Sequence, residues 1–444
     1  MKKLTVLVLL VVGAISLASV DSMAERLPVS SQSVLVVEHL NDNYKVSKQT
    51  VLFDMVLNQL AIEQLIAQYV EMLAYNNGLD PKDIFRAFDG DFGLAAWVDS
   101  EGLDRVIAIL GPISNPRTVK TAIEKLLPQL LPSDIKLSVA VDQEYLYIGD
   151  IEAYSMVGKG YNLSLVKSDL SPGFGYFYVD MGGTIQKGSV WNEEGILIAE
   201  ALSIPLFEES RERFHVALEG ASVDDLEVTR HLPLVSGFAR INDLSFLSEL
   251  EFDGLGFVPL ELEALRIGNV SFVDFSKDMT GEIMIDANIS VDDIFSSLMG
   301  TQGAASDDSE SVGYSYVVRT GYKGSIDDAR SMIEKTDPDL QVLVSGDVLI
   351  VEGQYIWIQD SWLYVSSKNQ IRTNEELQNG VVVSELKTYN KLLGFVGSDG
   401  FARLFIDSGY ILTGLMGLEI ESGVLINIEF IEDMGLIRSL VVIK

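Results

Sequence analysis

Cysteine is absent from all 444 residues. That removes disulfides, thiolate nucleophiles and cysteine-held zinc sites. It also removes lipoprotein anchoring, which modifies a cysteine at the processing point. Histidine is nearly absent: His39, His215 and His231 are the whole set, and none stands in an HExxH or HxH spacing. His39 ends an expected strand and His231 lies near an expected helix end, where the helix dipole accounts for it. Basic residues are scarce, 32 against 65 acidic ones, so the formal net charge is −33. A surface of that sign repels phosphate backbones and anionic bilayers, which excludes nucleic acid and anionic membrane surfaces as partners. There is no GxSxG elbow, no P-loop and no GxGxxG. SxxK strings occur at Ser133–Lys136, Ser164–Lys167 and Ser384–Lys387, but the KTG strand that penicillin-recognising serine enzymes need is missing. No catalytic residue and no cofactor is therefore assigned.

What is present is apolar residue, 48% of the chain, enough for sizeable cores in two or three domains. The N-terminus has the form of an export signal. Lys2 and Lys3 precede an apolar run over 4–20, and Ser22-Met23-Ala24 offers a small-x-small processing site, with Leu17-Ala18 as an alternative. The expectation is a signal peptide over 1–24 and an exported protein of the periplasm or exterior. An uncleaved run would tether the protein, and would be its one membrane contact. Removing Lys2, Lys3 and Asp21 takes the net charge from −33 to −34.

The chain also repeats itself. VAVDQEYLYIGDIEAY at 139–154 aligns without a gap on LIVEGQYIWIQDSWLY at 349–364, setting Tyr145 on Tyr355, Tyr147 on Trp357, Asp150 on Asp360 and Tyr154 on Tyr364. The offset of 210 holds back to Gly111 and Gly321. At an offset of 227, GFGYFYVDMG at 173–182 aligns on GFARLFIDSG at 400–409, with Asp180 on Asp407. The extra residues of the second copy fall in 365–400, whose polar stretch KNQIRTNEELQNG suggests a loop. The segment 79–98 is matched to 257–276, Pro81 on Pro259 and Gly90 on Gly268. Two tandem repeats are expected, 25–231 and 232–444, with a flexible acidic loop over 300–313.

Apolar spacing predicts a helix over 49–76, stopping at Asn76-Asn77-Gly78, and a short helix from Pro81. Strands are expected at 92–98 and 104–110, and a C-terminal hairpin turns at Met434-Gly435. Serine precedes a helical pattern at Ser114, Ser222, Ser290 and Ser325. The last three stand three residues before Asp225, Asp293 and Asp328, the capping-box spacing. The fold class that follows is α+β, two tandem copies of a module with an antiparallel-rich sheet covered by helices on one face.

Capping accounts for most Asp-Asp pairs. Should the chain bind calcium, the acids left over to hold it are Asp89, Asp91, Asp307 and Asp308, though neither group has the twelve-residue calcium-loop pattern. Asp180 and Asp407 each close an apolar strand before a turn, where an aspartate accepts turn amides.

The run NNGLDPKDIFRAFDGDFGLAAWV at 76–98 and the strand–turn–strand WNEEGILIAEALSI at 191–204 resemble the bacterial exported proteins grouped as domain of unknown function 3352. The resemblance implies an envelope location and carries no known activity; the second copy lacks the Asp-rich turn. The functional expectation is a non-enzymatic binding or scaffold protein with an unknown envelope partner or ligand. The alternatives are a carrier of an apolar ligand or lipid, which calls for a closed apolar cavity, and a carboxylate-based hydrolase, which calls for two carboxylates in an open cleft.

Overall fold

The computed structural model describes residues 20–444 except 60, 131–136, 225–228, 231, 233, 244–265, 268–269, 272–273, 275–276, 290–313, 371–372, 374–379 and 398. The chain forms two compact units, one through Leu202 and one over Ser203–Lys444. The boundary lies upstream of the expected 231. Helix α8 (Glu208–Leu218) buries Phe214, Ala217 and Leu218 in the second unit's core and so belongs to that unit.

In the first unit, β1 (Ser33–Val37) is central, flanked by β2 (Asp91–Val98) and β6 (Gly175–Asp180). β3 (Asp104–Gly111) pairs with β2, β5 (Tyr145–Gly149) with β3, β4 (Ser138–Asp142) with β5, and β7 (Thr184–Glu193) with β6. All these pairings are antiparallel, so one residue in two faces each side of the sheet. One face builds a core from Val34, Val36, Ala95, Trp97, Ile107, Ile109, Tyr145 and Tyr147. Three short helices supply its cover: α1 (Val20–Ala24) with Met23 and Ala24, α6 (Ile151–Tyr154) with Tyr154, and α7 (Ser164–Lys167) with Val166.

The helix expected over 49–76 is broken. Leu40–Ser47 forms α2, a helical turn spans Val51–Asp54, a π-turn spans Met55–Gln59, and Ala61 sits at φ +57 before α3 (Ile62–Asn76) begins. A residue in that left-handed conformation cannot continue a right-handed helix. Asp80 caps α4 (Pro81–Phe85), with Pro81 at its first position as expected. α5 (Pro116–Leu130) joins α3 and α4 in a separate small cluster of Ala74, Ile84, Ala122 and Leu126.

After β8 (Ile196–Pro205), the second unit is centred on β9 (Val235–Arg240), flanked by β10 (Met279–Ile289) and β16 (Ala402–Ile406). β11 (Tyr314–Tyr322) pairs with β10 and then with β15 (Trp362–Ser366). β14 (Gln354–Gln359), β13 (Val348–Val351) and β12 (Leu343–Ser345) follow outward. On the other side β16 leads to β17 (Val424–Ile431) and β18 (Leu436–Ile443), the expected C-terminal hairpin. Every pairing is again antiparallel.

Helices cover both faces of this sheet, not one. Val318, Ile356, Leu363 and Val365 pack with α8 and with Ala329 and Ile333 of α9 (Ile326–Thr336). Phe405 points to the opposite face from its neighbour Leu404, and meets Tyr389 of α10 (Lys387–Val396) edge-on at 5.6 Å. α10 lies within 365–400 but beyond the polar stretch 368–380 expected to be a loop, and its buried Tyr389, Leu392 and Val396 recur at helical spacing.

Residues 106–149 and 316–359 both run from a strand through a helix to a hairpin, β4–β5 in the first unit and β13–β14 in the second, where β12 stands before it. Beyond them the units part. Residues 151–154 are helical, whereas 362–366 form β15, which inserts between β11 and β14. Yet the aromatic pairs keep their contacts: Tyr147 lies 5.6 Å from Tyr154, and Trp357 stacks on Tyr364 at 5.0 Å. The match of 79–98 to 257–276 ends before β10 begins at Met279, and residues 257–265 of it lie outside the described residues.

Candidate functional site

The first unit carries an open cleft of about 560 Å³ where the β2–β3 turn meets the end of β5. Its walls include Trp97, Asp99, Glu101, Arg105, Asp150 and Glu152. Local sequence builds it. The Asp99 backbone pairs with Leu103, and Gly102 at φ +77 supplies the left-handed turn residue that favours glycine. Asp99 Oδ1 accepts the Glu101 and Leu103 amides at 2.8 and 3.0 Å, and its Oδ2 accepts Arg105 Nε at 2.7 Å. Across the cleft, Asp150 Oδ2 accepts the Val106 amide at 2.9 Å, and Arg105 Nη1 stands 3.8 Å from Asp150 Oδ1. Gly149 is required there, because a Cβ would meet the Val106 carbonyl oxygen at 2.2 Å and its φ is +142.

The electrostatics follow the geometry. The Leu103 amide, then Arg105, hold the Asp99 carboxyl below the usual carboxylate range, and Asp99 in turn raises Arg105. A general acid for glycoside cleavage needs the opposite, a carboxyl kept protonated by an apolar setting. The two best-placed acids of the cleft are thus fixed hydrogen-bond acceptors around one guanidinium.

Two other polar groupings are built by the fold. Asp91, fully buried at the head of β2, accepts the His39 backbone N–H at 3.0 Å and lies 3.1 Å from His39 Nδ1. Burial, then Glu38, pushes the Asp91 carboxyl up to about 7, and burial pulls the imidazole of His39 down. Asp89, two residues away, is exposed and accepts Asn41 Nδ2 at 3.4 Å. The chain thus turns the two acids of FDGDF apart. Asp307 and Asp308 lie outside the described residues. Among the described residues no three His, Asp or Glu side chains gather as a metal would require.

In the second unit Ser236 Oγ donates to Asp286 Oδ1 at 2.9 Å, and Arg319 Nη2 stands 3.5 Å from Asp286 Oδ2. Beside them buried Arg403 donates to Asn427 at 2.8 Å and also reaches Asp224. Burial lowers the Arg319 pKa and Asp286 opposes that fall. These residues were invisible as a group in the sequence, since they come from six separated segments.

The remaining sequence expectations are placed as follows. His215 packs edge-on against Phe430 at 5.0 Å, and His231 is outside the described residues. Asp180 accepts the Gly182 amide at 2.8 Å, and Asp407 caps α11 (Ser408–Met416) by accepting the Tyr410 amide at 3.0 Å. Ser325 and Asp328 form the expected capping box, while Ser290, Asp293 and Asp225 lie outside the described residues. Ser164 donates to Asn162, and Lys167 pairs with Asp21, so that SxxK string is divided between other partners. No family model, curated protein or solved structure matches this chain.

Proposed function

We propose that the protein is an exported, non-enzymatic binding protein of the bacterial cell envelope that carries one α+β module twice, and that it belongs with the domain of unknown function 3352 proteins it resembles. Strand register supports the duplication. Across the first sheet, Tyr178, Val34, Ala95 and Ile107 stand in one row; across the second, Phe405, Ser236, Asp286 and Val317 do. The two ends of these rows obey the two sequence offsets independently, 227 for Tyr178 and Phe405, 210 for Ile107 and Val317. A one-residue slip anywhere between would flip the faces and break that agreement. Divergence then shows inside the row: apolar Val34 and Ala95 correspond to buried, hydrogen-bonded Ser236 and Asp286.

The observation that carries the binding reading is the Asp99–Arg105–Asp150 arrangement in the open cleft. Asp99 is held below the usual carboxylate range, and backbone amides and Arg105 occupy its oxygens and Asp150 Oδ2, a fixed set of acceptors around one guanidinium that suits recognition. The cleft is open and polar, so it does not favour the apolar-carrier alternative. Native mass spectrometry of the protein from its own host tests the reading. A bound ligand or partner that Arg105→Ala releases is the expected result. Hydrolysis that falls about a thousandfold in Asp99→Asn would replace it with an enzymatic reading, and a co-purified lipid would replace it with a carrier.

A further inference from the structure

The cleft of the first unit is unbalanced in charge. Asp99, Glu101, Asp150 and Glu152 line it against a single cation, Arg105, which is already committed to Asp99 and Asp150. Glu101 and Glu152 stand on its two walls, one in the β2–β3 turn and one in α6, and both are exposed. No ion pair joins either of them to a base among the described residues. A second group in the same cleft lacks a partner. Trp97 is 3% exposed, and its indole Nε1 has no hydrogen-bond acceptor among the described residues. It lies opposite Arg105 in the β2–β3 register, so both side chains leave the same face of the sheet, and both border the cleft. A buried N–H without an acceptor costs free energy that an incoming carbonyl would recover. The cleft is thus complementary to cationic donors at its rim and to one acceptor at its buried wall. A metal ion does not fit that description. Amides and the guanidinium occupy three of the four oxygens of Asp99 and Asp150, and the fourth, Asp150 Oδ1, stands 3.8 Å from Arg105 Nη1.

We propose that this cleft binds a basic peptide segment, whose lysine or arginine side chains pair with Glu101 and Glu152 while a backbone carbonyl accepts the Trp97 indole N–H. The inference rests on the binding reading above and names its ligand class. A volume of about 560 Å³ is that of a small-ligand site and takes a segment of a few residues. Val98 and Met156, 44% and 87% exposed, add apolar surface for the stems of such side chains. Arg105 holds the walls and does not meet the peptide: it ties the turn that carries Glu101 to the end of β5, two residues before Glu152. Arg105→Ala therefore releases the ligand by loosening both walls, although it removes a positive charge. A polyamine satisfies the acids equally well but offers Trp97 no acceptor.

The test is calorimetric titration of the full chain with trilysine, acetylated and amidated at its ends, and with spermidine. Salt is set at about 0.15 M, where a Debye length of ~8 Å screens diffuse attraction to the acidic surface. Trilysine binds, and Glu101→Gln with Glu152→Gln weakens it about tenfold. Glu385→Gln with Glu419→Gln, the same change of charge at exposed acids of the second unit, alters it less than about twofold. Trp97→Phe weakens trilysine and leaves spermidine unchanged. The Trp97 indole N–H resonance of isotope-labelled protein, which moves when trilysine is added, gives the same reading without a core substitution. Absence of trilysine binding overturns the proposal. Equal losses in the two double variants also overturn it, since net charge alone then attracts the peptide. Spermidine that binds as tightly as trilysine, with the Trp97 resonance unmoved by either, replaces the peptide with a polyamine. A host ligand that Arg105→Ala releases and trilysine does not displace overturns the peptide and leaves the binding reading standing. Trilysine that binds and is then hydrolysed upholds the peptide and overturns the non-enzymatic reading.

Discussion

At the scale of single residues, the first unit holds one acid in an unusual setting. Asp91 has its folded-state pKa raised to about 7, well above its ordinary value. The folded protein therefore binds that proton more tightly than the unfolded chain. Stability from this group is full in acid, declines as pH rises from about 4 to about 7, and is level above that. His39 acts oppositely, since its lowered pKa costs stability as pH falls below 6.5. Asp91→Asn keeps an acceptor for the His39 amide and removes the titration. Urea melts at pH 4.5 and 7.5 should show the variant losing less stability between them than the parent, by on the order of 2 kcal/mol. Equal losses in the two proteins would mean that Asp91 titrates normally. At the cleft, Arg105→Lys should fail to restore what Arg105→Ala removes, because an ammonium cannot reproduce the Nε contact to Asp99 together with the reach toward Asp150.

At the scale of elements, the hairpin ends are decided by glycine and by aromatic contact. Gly149→Ala forces a Cβ into the Val106 carbonyl at φ +142 and should cost more than ~1 kcal/mol while opening the β3–β5 junction. In the second unit Trp357 is fully buried and stacked 6° from parallel on Tyr364. Trp357→Ala should cost ~3–5 kcal/mol, read by denaturant melts of the second unit's transition. Trp357→Phe, which keeps the stacking face, should recover much of that loss. If both variants cost the same, the stack contributes nothing beyond filled volume.

At the scale of the whole molecule, charge dominates. A chain of −33 repels itself, and the repulsion weighs most on compact states at low salt, where the Debye length reaches ~30 Å at 0.01 M. The Tm should rise with added NaCl. Calcium and magnesium chlorides at equal ionic strength should raise it alike. A calcium-specific gain growing as RT ln(1 + [L]/Kd), about 2.7 kcal/mol at a hundred times Kd, would direct attention to Asp89, Asp307 and Asp308 as ligands.

The sequence by itself determined the antiparallel α+β class, the helix start at Asp80-Pro81, the Ser325 capping box, the turn after Asp180, and the C-terminal hairpin, whereas the turn expected after Asp407 is the start of α11. Each depends on residues close in the chain, where periodicity and turn chemistry act directly. Of the cleft, the β2–β3 pair was legible as the expected strands at 92–98 and 104–110, but Asp150 reaches Arg105 only because β5 pairs with β3. Tertiary structure alone decided that Ala61 breaks the long helix and that β15 inserts into the second sheet. It alone set Asp91 on His39 and Asp286 on Ser236, across separations of 52 and 50 residues. The expected leader over 1–24 ends in Met23 and Ala24, which are buried in the first unit's core. Pattern records how apolar a segment is, whereas burial depends on whether another part of the fold, here the bare backbone of Gly93, has left room to receive it.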